Sequence, residues 1–301
     1  MSLALRLLNP WLRRVEKRRL SDGTVSQLRR ALLLQSRIYF HPPFGTRITH
    51  TSYGDVPCLD IGVRHTAPGR VILYLHGGGF VFGAPETHRA LAAQIGRRTA
   101  ARVILPRYRL APEAPFPAAP DDVRAVWDGL VASGVAPQNV VIGGDSAGGA
   151  LAFGLIAALC KEGAAMPGAA FGLSPLTDLT HSGESFRKNA QCDVLLPASR
   201  AGDLGQMFLC GHRADDPRVS PLFGDFKGAP PAWITVGDTE ILLDDARRLA
   251  VRMQAAGSAV TLVEQPDHPH VWPLFHNTLP EARQTLDELA AWIRQQQNWA
   301  I

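Results

Sequence analysis

Apolar residues along this chain come in short unbroken runs, separated by stretches in which they recur at helical spacing. Val71-Ile72-Leu73-Tyr74-Leu75 is one such run, with the length and composition of a strand buried on both faces. Comparable segments predict strands at Val56–Val63, Arg102–Pro106, Asn139–Ile142, Phe171–Ser174, Ala232–Gly237 and Ala259–Glu264. Helices are predicted at Thr87–Ala100, Ala118–Ser133 and Ala150–Cys160. After Glu240, the residues Ala246, Leu249, Ala250 and Met253 share one helical face and Gly257 stops it. From Pro280, a stripe of Ala282, Leu286, Leu289, Ala290 and Ile293 marks a final helix. Strands alternating with helices at these lengths predict an α/β fold with a mostly parallel central sheet flanked by helices.

Two regions depart from that alternation. Residues 1–45 mix Leu and Ile with Arg and read as one or two amphipathic helices ending at His41-Pro42-Pro43. Residues 181–228 lose strand character and read as helices and loops inserted as a cap. The expected organisation is therefore an N-terminal helical cap segment over 1–45 and a main domain over 46–301, with a cap insertion at about 181–228.

Charge refines the reading of the N-terminal segment. Residues 1–30 hold eight Lys/Arg against Glu16 and Asp22, a balance of +6; the whole chain sums to +4, leaving −2 beyond residue 30. A basic surface across the body is thus excluded, and no nucleic-acid partner is expected. The segment is read as a cap packed on the body; the rival reading is a basic face that touches anionic lipid or a partner. No apolar run has the length of a membrane span, so no stable membrane insertion is expected, and Met1–Leu8 is too short for a signal-peptide core. The four cysteines show no C-x-x-C spacing. They are expected to be small buried hydrophobes in a reducing cytoplasm, forming neither disulfides nor a metal site.

The chemistry centres on Gly144-Asp145-Ser146-Ala147-Gly148, which fits G-x-S-x-G between a strand and a helix. The glycine pair Gly143-Gly144 is expected to break the strand, and the small neighbours let a serine on a tight turn point outward. The helix that follows aims backbone N–H groups at an oxygen that becomes charged. His76-Gly77-Gly78-Gly79-Phe80 follows another buried strand and can supply an oxyanion hole. A phosphate cradle is disfavoured, because neither Gly-Lys-Ser/Thr nor G-x-G-x-x-G is present. Acids at Asp238, Glu240, Asp244 and Asp245 follow the Ala232–Gly237 strand. Histidines at His268 and His270 follow the next one. The order serine, acid, histidine is that of a nucleophilic triad, in which histidine shuttles the serine proton and the acid orients the imidazole.

Together the glycine loop and the serine turn resemble the two signature motifs of the hormone-sensitive-lipase-like bacterial carboxylesterases, within the α/β-hydrolase superfamily. Tyr108-Arg109-Leu110-Ala111-Pro112-Glu113, the stretch from Ser174 to Thr180, Ser220-Pro221-Leu222 and Pro269-His270-Val271-Trp272 are similar to that family as well. The resemblance runs from about residue 50 to the C-terminus. It implies Ser146 as nucleophile, His270 as base, and Gly77, Gly78 and Ala147 as the oxyanion hole. Glu240 stands where many relatives place the acid of Asp-Pro-Leu and is the expected acid, with Asp244 as its rival. Arg107 replaces an aspartate common in relatives. The implied reaction is hydrolysis of short- to medium-chain carboxylic esters through an acyl-enzyme, with no cofactor and a small-molecule ester as partner. The chain is expected to act alone or as a homodimer. Competing readings are an amidase or lactonase using the same triad, and a non-catalytic receptor of the same fold.

Overall fold

The computed structural model describes residues 1–299. Eight strands form one sheet: β1 Arg47–Tyr53, β2 Val56–Gly62, β3 Val71–Leu75, β4 Arg102–Pro106, β5 Val140–Asp145, β6 Ala169–Leu173, β7 Ala232–Gly237 and β8 Val260–Gln265. Their spatial order is β1-β2-β4-β3-β5-β6-β7-β8. The β1/β2 and β2/β4 pairs are antiparallel and all others parallel. This is the mostly parallel sheet anticipated above, with one strand added. β1 carries no strand signal in the sequence because Arg-Ile-Thr-His-Thr-Ser-Tyr lies at an edge, no residue of it is buried, and only Ile48 is strongly apolar.

The central strands β3, β5, β6 and β7 are buried at every position, which is why they read as continuous apolar runs. Successive side chains serve opposite layers. Val71, Leu73 and Leu75 join the core shared with the helices α5 Ala118–Ala132, α6 Ala147–Glu162 and α9 Leu243–Ala255. Ile72 and Tyr74 join the opposite core, with α4 Pro85–Thr99 and α10 Pro280–Gln297.

Gly143 and Gly144 do not break β5; the strand continues through both to Asp145. Their role is close approach. A Cβ on Gly143 would strike the Phe171 ring, and one on Gly144 would strike the Leu75 carbonyl and the Gly148 backbone. A side chain at either position would push β5 off its neighbours.

The N-terminal segment folds as α1 Leu3–Trp11, a π-type turn over Leu12–Glu16, α2 Lys17–Asp22 and α3 Val25–Ile38. Ser2 caps α1 and its hydroxyl also donates to Glu281 of α10 at 2.9 Å. Thr24 and Gln27 form a capping box that starts α3. Residues 181–228 hold two helices, α7 Glu184–Lys188 and α8 Ala198–Leu209, and a 3-10 turn at Pro221–Phe223. Arg13 donates to the carbonyls of Gln191 and Cys192, and Lys17 to those of Ala190 and Asp193. Two of the segment's basic residues are thus spent on the chain itself. The cysteines are all free, but only Cys58 is buried; Cys160 is half-buried and Cys192 and Cys210 are exposed. The expectation of four buried thiols fails because Cys192 and Cys210 sit in the loop-rich insertion, outside either core layer.

Candidate active site

Parallel pairing brings the C-terminal ends of β3, β5, β6, β7 and β8 to one edge of the sheet, and the site is built from the loops that leave them. Ser146 follows β5 at φ 51° and ψ −121°. That conformation costs a non-glycine residue about 1–3 kcal/mol. It is held by bonds from Ser146 N to the Leu173 carbonyl and from Leu176 N to the Ser146 carbonyl, both 3.0 Å. A Cβ on Gly148 would collide with the carbonyls of Leu75 and His76, so this position has to be glycine for the turn to sit against β3. Ser146 is half-buried and lines a large cavity.

His270 lines the same cavity. Its Nδ1 lies 2.6 Å from Glu240 Oε2, and both side chains are buried. Burial alone would pull the imidazole below its ordinary 6.5, but the charge of Glu240 and its hydrogen bond outweigh that and hold it higher. Nδ1 therefore carries the proton given to Glu240, and Nε2 is left as the free basic nitrogen. No hydrogen bond joins Ser146 Oγ to His270; such contacts often tighten only when substrate is bound.

The other oxygen of Glu240 is fully engaged. Oε1 accepts from Ser174 Oγ at 2.7 Å and from Gly237 N at 2.6 Å. The Ser174 hydroxyl in turn accepts from Val271 N at 3.1 Å, beside a Val271 backbone at φ 50°. Ser174 thus fixes the carboxylate and the turn carrying His270 at once. The sequence placed Ser174 in a family-like stretch without a role; its position directly after a buried strand was the available signal.

The competing residues are occupied elsewhere. Asp238 Oδ1 accepts from Asp267 N, and Asp244 Oδ2 accepts from Ser185 N, each at 2.8 Å. Asp245 is buried and accepts from the backbone N–H groups of Thr177 and Asp178; burial pushes its carboxyl up to about 7. His268 is bound through Nδ1 to the Pro266 carbonyl and its ring meets Trp272 edge-on. Arg107 pairs with Glu86 at the surface, which accounts for a basic residue at this position.

The glycine loop corrects one expectation. Gly77 N donates to Asp145 Oδ1 at 3.0 Å, so its N–H is not free for a substrate oxygen. The same carboxylate accepts from Tyr74 OH at 2.7 Å and lies 3.3 Å from His88 Nε2. A Cβ on Gly77 would run into that carboxylate. Gly78 and Gly79, at φ 124° and 58°, have N–H groups without a hydrogen-bond partner among the described residues. Ala147 opens α6, where a helix leaves its first N–H groups unpaired. The available donors are Gly78, Gly79 and Ala147, in place of the expected Gly77, Gly78 and Ala147.

The cavity measures about 520 Å³, within the roughly 300–1,000 Å³ common for small-molecule sites. Its walls are mainly apolar and come from three sources: Leu12 and Leu28 of the N-terminal helices, Leu196 and Leu204 of the insertion, and Leu176 and Phe275 of the body. A polar knot interrupts them where Glu16 accepts from Arg19 and Gln35, each at 2.8 Å, and Arg200 and His181 also reach the lining. Among the described residues no group of three or more His, Cys, Asp or Glu side chains is arranged to hold a metal ion.

A family model for the α/β-hydrolase fold matches residues 72–274. An acetyl-hydrolase of Streptomyces hygroscopicus is 39% identical over 226 residues, covering 75% of this chain and 76% of that protein. An esterase of Acinetobacter venetianus is 38% identical over 223 residues, 73% of each. Among solved structures, an esterase of the bacterial hormone-sensitive lipase family is similar with a TM-score of 0.92 and 35% identity, over 98% of this chain and 99% of that one.

Proposed function

The chain belongs to the α/β-hydrolase fold family and is a carboxylesterase of the hormone-sensitive-lipase type; on that premise we propose that Ser146, His270 and Glu240 carry out its chemistry. The observation that supports this most is the 2.6 Å contact between Glu240 and His270, made at the wall of the cavity that Ser146 also lines.

In this reading Ser146 Oγ attacks the ester carbonyl carbon while His270 Nε2 takes its proton. The carbonyl oxygen becomes an oxyanion and is met by the N–H groups of Gly78, Gly79 and Ala147. Collapse breaks the bond to the alcohol, which leaves with the proton from Nε2, and an acyl-serine remains. Water then repeats the sequence: Nε2 takes its proton, the hydroxyl oxygen bonds to the acyl carbon, and the acid departs as Ser146 regains its hydrogen. Glu240 keeps the imidazole in the required tautomer and stabilises the imidazolium.

The apolar cavity favours acyl chains of short to medium length. Residues 1–45 and 181–228 act as the cap that walls the cavity on the substrate side. Four unpaired cysteines suit a reducing compartment, and we place the enzyme in the cytoplasm.

The test is a fluorophosphonate probe on the wild-type chain and on Ser146→Ala. Stoichiometric labelling of the wild type only, with hydrolysis falling by several orders of magnitude in a folded Ser146→Ala, is the expected outcome. Full activity in that variant would overturn the assignment. A panel of p-nitrophenyl esters with matching amides then separates ester from amide preference.

A further inference from the structure

Folding leaves the N-terminal helices with a second apolar face that nothing in the described chain covers. Of the eleven large hydrophobic side chains that stay exposed among the described residues, nine lie before residue 45. Scattered exposed apolar residues are ordinary, whereas a concentration on one segment marks a docking surface.

Their arrangement is regular. Leu3, Leu7, Trp11 and Val15 are 71%, 67%, 39% and 36% exposed and follow each other at four-residue spacing, forming one ridge of the first helical stretch. Leu5 and Leu12 point the other way, into the protein, and are fully buried. The helix is therefore apolar on two sides while lying at the surface, a pattern suited to an interface between protein and lipid. In α3, Leu34 and Ile38 are 57% and 52% exposed, again four residues apart.

Cations border these apolar rows. Arg6, Arg14 and Arg18 occupy the neighbouring ridge of the first stretch, three residues on from Leu3, Trp11 and Val15; Arg30 and Arg37 flank Leu34. All five are exposed. Arg6, Arg14, Arg30 and Arg37 make no hydrogen bond or ion pair among the described residues, and Arg18 reaches only the exposed Asp22 at 3.8 Å. These are the basic residues left over once Arg13, Lys17, Arg19 and Arg29 are bound within the chain. Trp11 and Tyr39 are both exposed and line the cavity, so they mark its mouth, and that mouth opens within the same face.

We propose that this face docks on an anionic lipid surface, with the cavity mouth set against it. The apolar ridge enters the headgroup boundary, and the arginines beside it meet the phosphates. Spanning is not involved, since no helix among the described residues is long and apolar enough to cross a membrane. A second copy of the chain fits this face poorly. Two such faces would bring five exposed arginines against five others, and the acids of the segment, Glu16 and Asp22, are already paired with Arg19 and Arg18. The consequence, which rests on the esterase reading, is access to esters held in lipid; the docking itself does not depend on that reading.

The experiment is co-sedimentation of the full chain with phosphatidylcholine vesicles, with and without phosphatidylglycerol. The expected result is binding to the anionic vesicles, weakened by salt. Each cation near such a surface contributes roughly fivefold to partitioning, so Arg14→Glu/Arg30→Glu/Arg37→Glu should lose more than tenfold. Leu3→Asp/Leu7→Asp should abolish binding at any salt. None of these residues lines the cavity, so hydrolysis of soluble p-nitrophenyl butyrate should be unchanged in both variants, which also shows them folded. Absence of binding by the wild type, or binding indifferent to both variants, overturns the proposal. So does a concentration-dependent dimer that Leu3→Asp/Leu7→Asp dissociates, which would assign the face to a second copy. Vesicle binding by a chain that hydrolyses no ester supports the docking and counts against the esterase reading alone.

Discussion

The backbone N–H of Gly77 donates to Asp145 Oδ1 at 3.0 Å, tying the glycine loop after β3 to the residue that precedes Ser146. In the proposed mechanism this bond holds the two halves of the oxyanion site, Gly78-Gly79 on the loop and Ala147 on the helix, at a set separation. Asp145 is a positioning residue in this arrangement, and Gly77 is its anchor.

Asp145→Asn keeps an oxygen for Gly77 N and Tyr74 OH and presents an amide to His88, so kcat should stay within about tenfold of wild type. Asp145→Ala leaves Gly77 N unpaired in a buried place and lets the loop drift. It should lower kcat on the order of 10²-fold, as loss of one oxyanion donor does. Steady-state kinetics on p-nitrophenyl butyrate, with near-UV circular dichroism to show retained packing, checks both. Equal loss in the two variants would mean that the charge matters and the loop anchor does not.

Glu240→Gln should cost about 10²–10⁴ in kcat, because the amide no longer enforces the tautomer with Nε2 free. Ser174→Ala removes one of two hydrogen bonds to Oε1 and leaves Val271 N without its acceptor; a loss of about tenfold in kcat with KM little changed is expected. Asp244→Asn should remain close to wild type in kcat, since Asp244 serves Ser185. If instead Asp244→Asn is dead and Glu240→Gln active, the acid has been misassigned.

In the proposed mechanism His270 must be neutral to accept the Ser146 proton. Burial pulls its pKa down and Glu240 more than compensates, so kcat/KM should fall as pH drops through a value above 6.5. In Glu240→Gln the opposing charge is gone while burial remains, and the acid limb of the residual activity should move to lower pH. For stability the sign is reversed: a raised histidine pKa favours the folded state below 6.5 and loses that contribution as pH rises through the folded value. Loss of activity on the acid limb should therefore not be accompanied by unfolding caused by His270, which far-UV circular dichroism across the same range can verify.

Leu12 is fully buried and lines the cavity from the N-terminal segment. Leu12→Ala should lengthen the space available to the substrate and raise the relative kcat/KM for longer p-nitrophenyl esters. It should also destabilise the protein by about 2–5 kcal/mol, from lost burial and the space left behind. Urea denaturation and an ester chain-length series measure the two effects; an unchanged chain-length preference would place the acyl chain against another wall.

What the sequence by itself determined was whatever depends on near neighbours. Strands β3, β5, β6 and β7 were legible because burial on both faces demands continuous apolar residues, and the helices because their inward stripes recur every three to four positions. The serine turn and the glycine loop were legible because a strained backbone and close packing restrict which residues can stand there.

The tertiary structure decided how hydrogen bonds are shared between distant parts of the chain. Gly77 and Asp145 are 68 residues apart and Ser174 and Glu240 are 66 apart. No local pattern announces that one N–H is already taken, or which of four carboxylates reaches a histidine. Strand order brings the ends of β3, β5, β6, β7 and β8 together, and geometry then decides which partners each polar group takes. The same holds for surfaces. Leu5 and Leu7 are alike as residues of an apolar helix, and only packing on the body makes the first core and leaves the second in water.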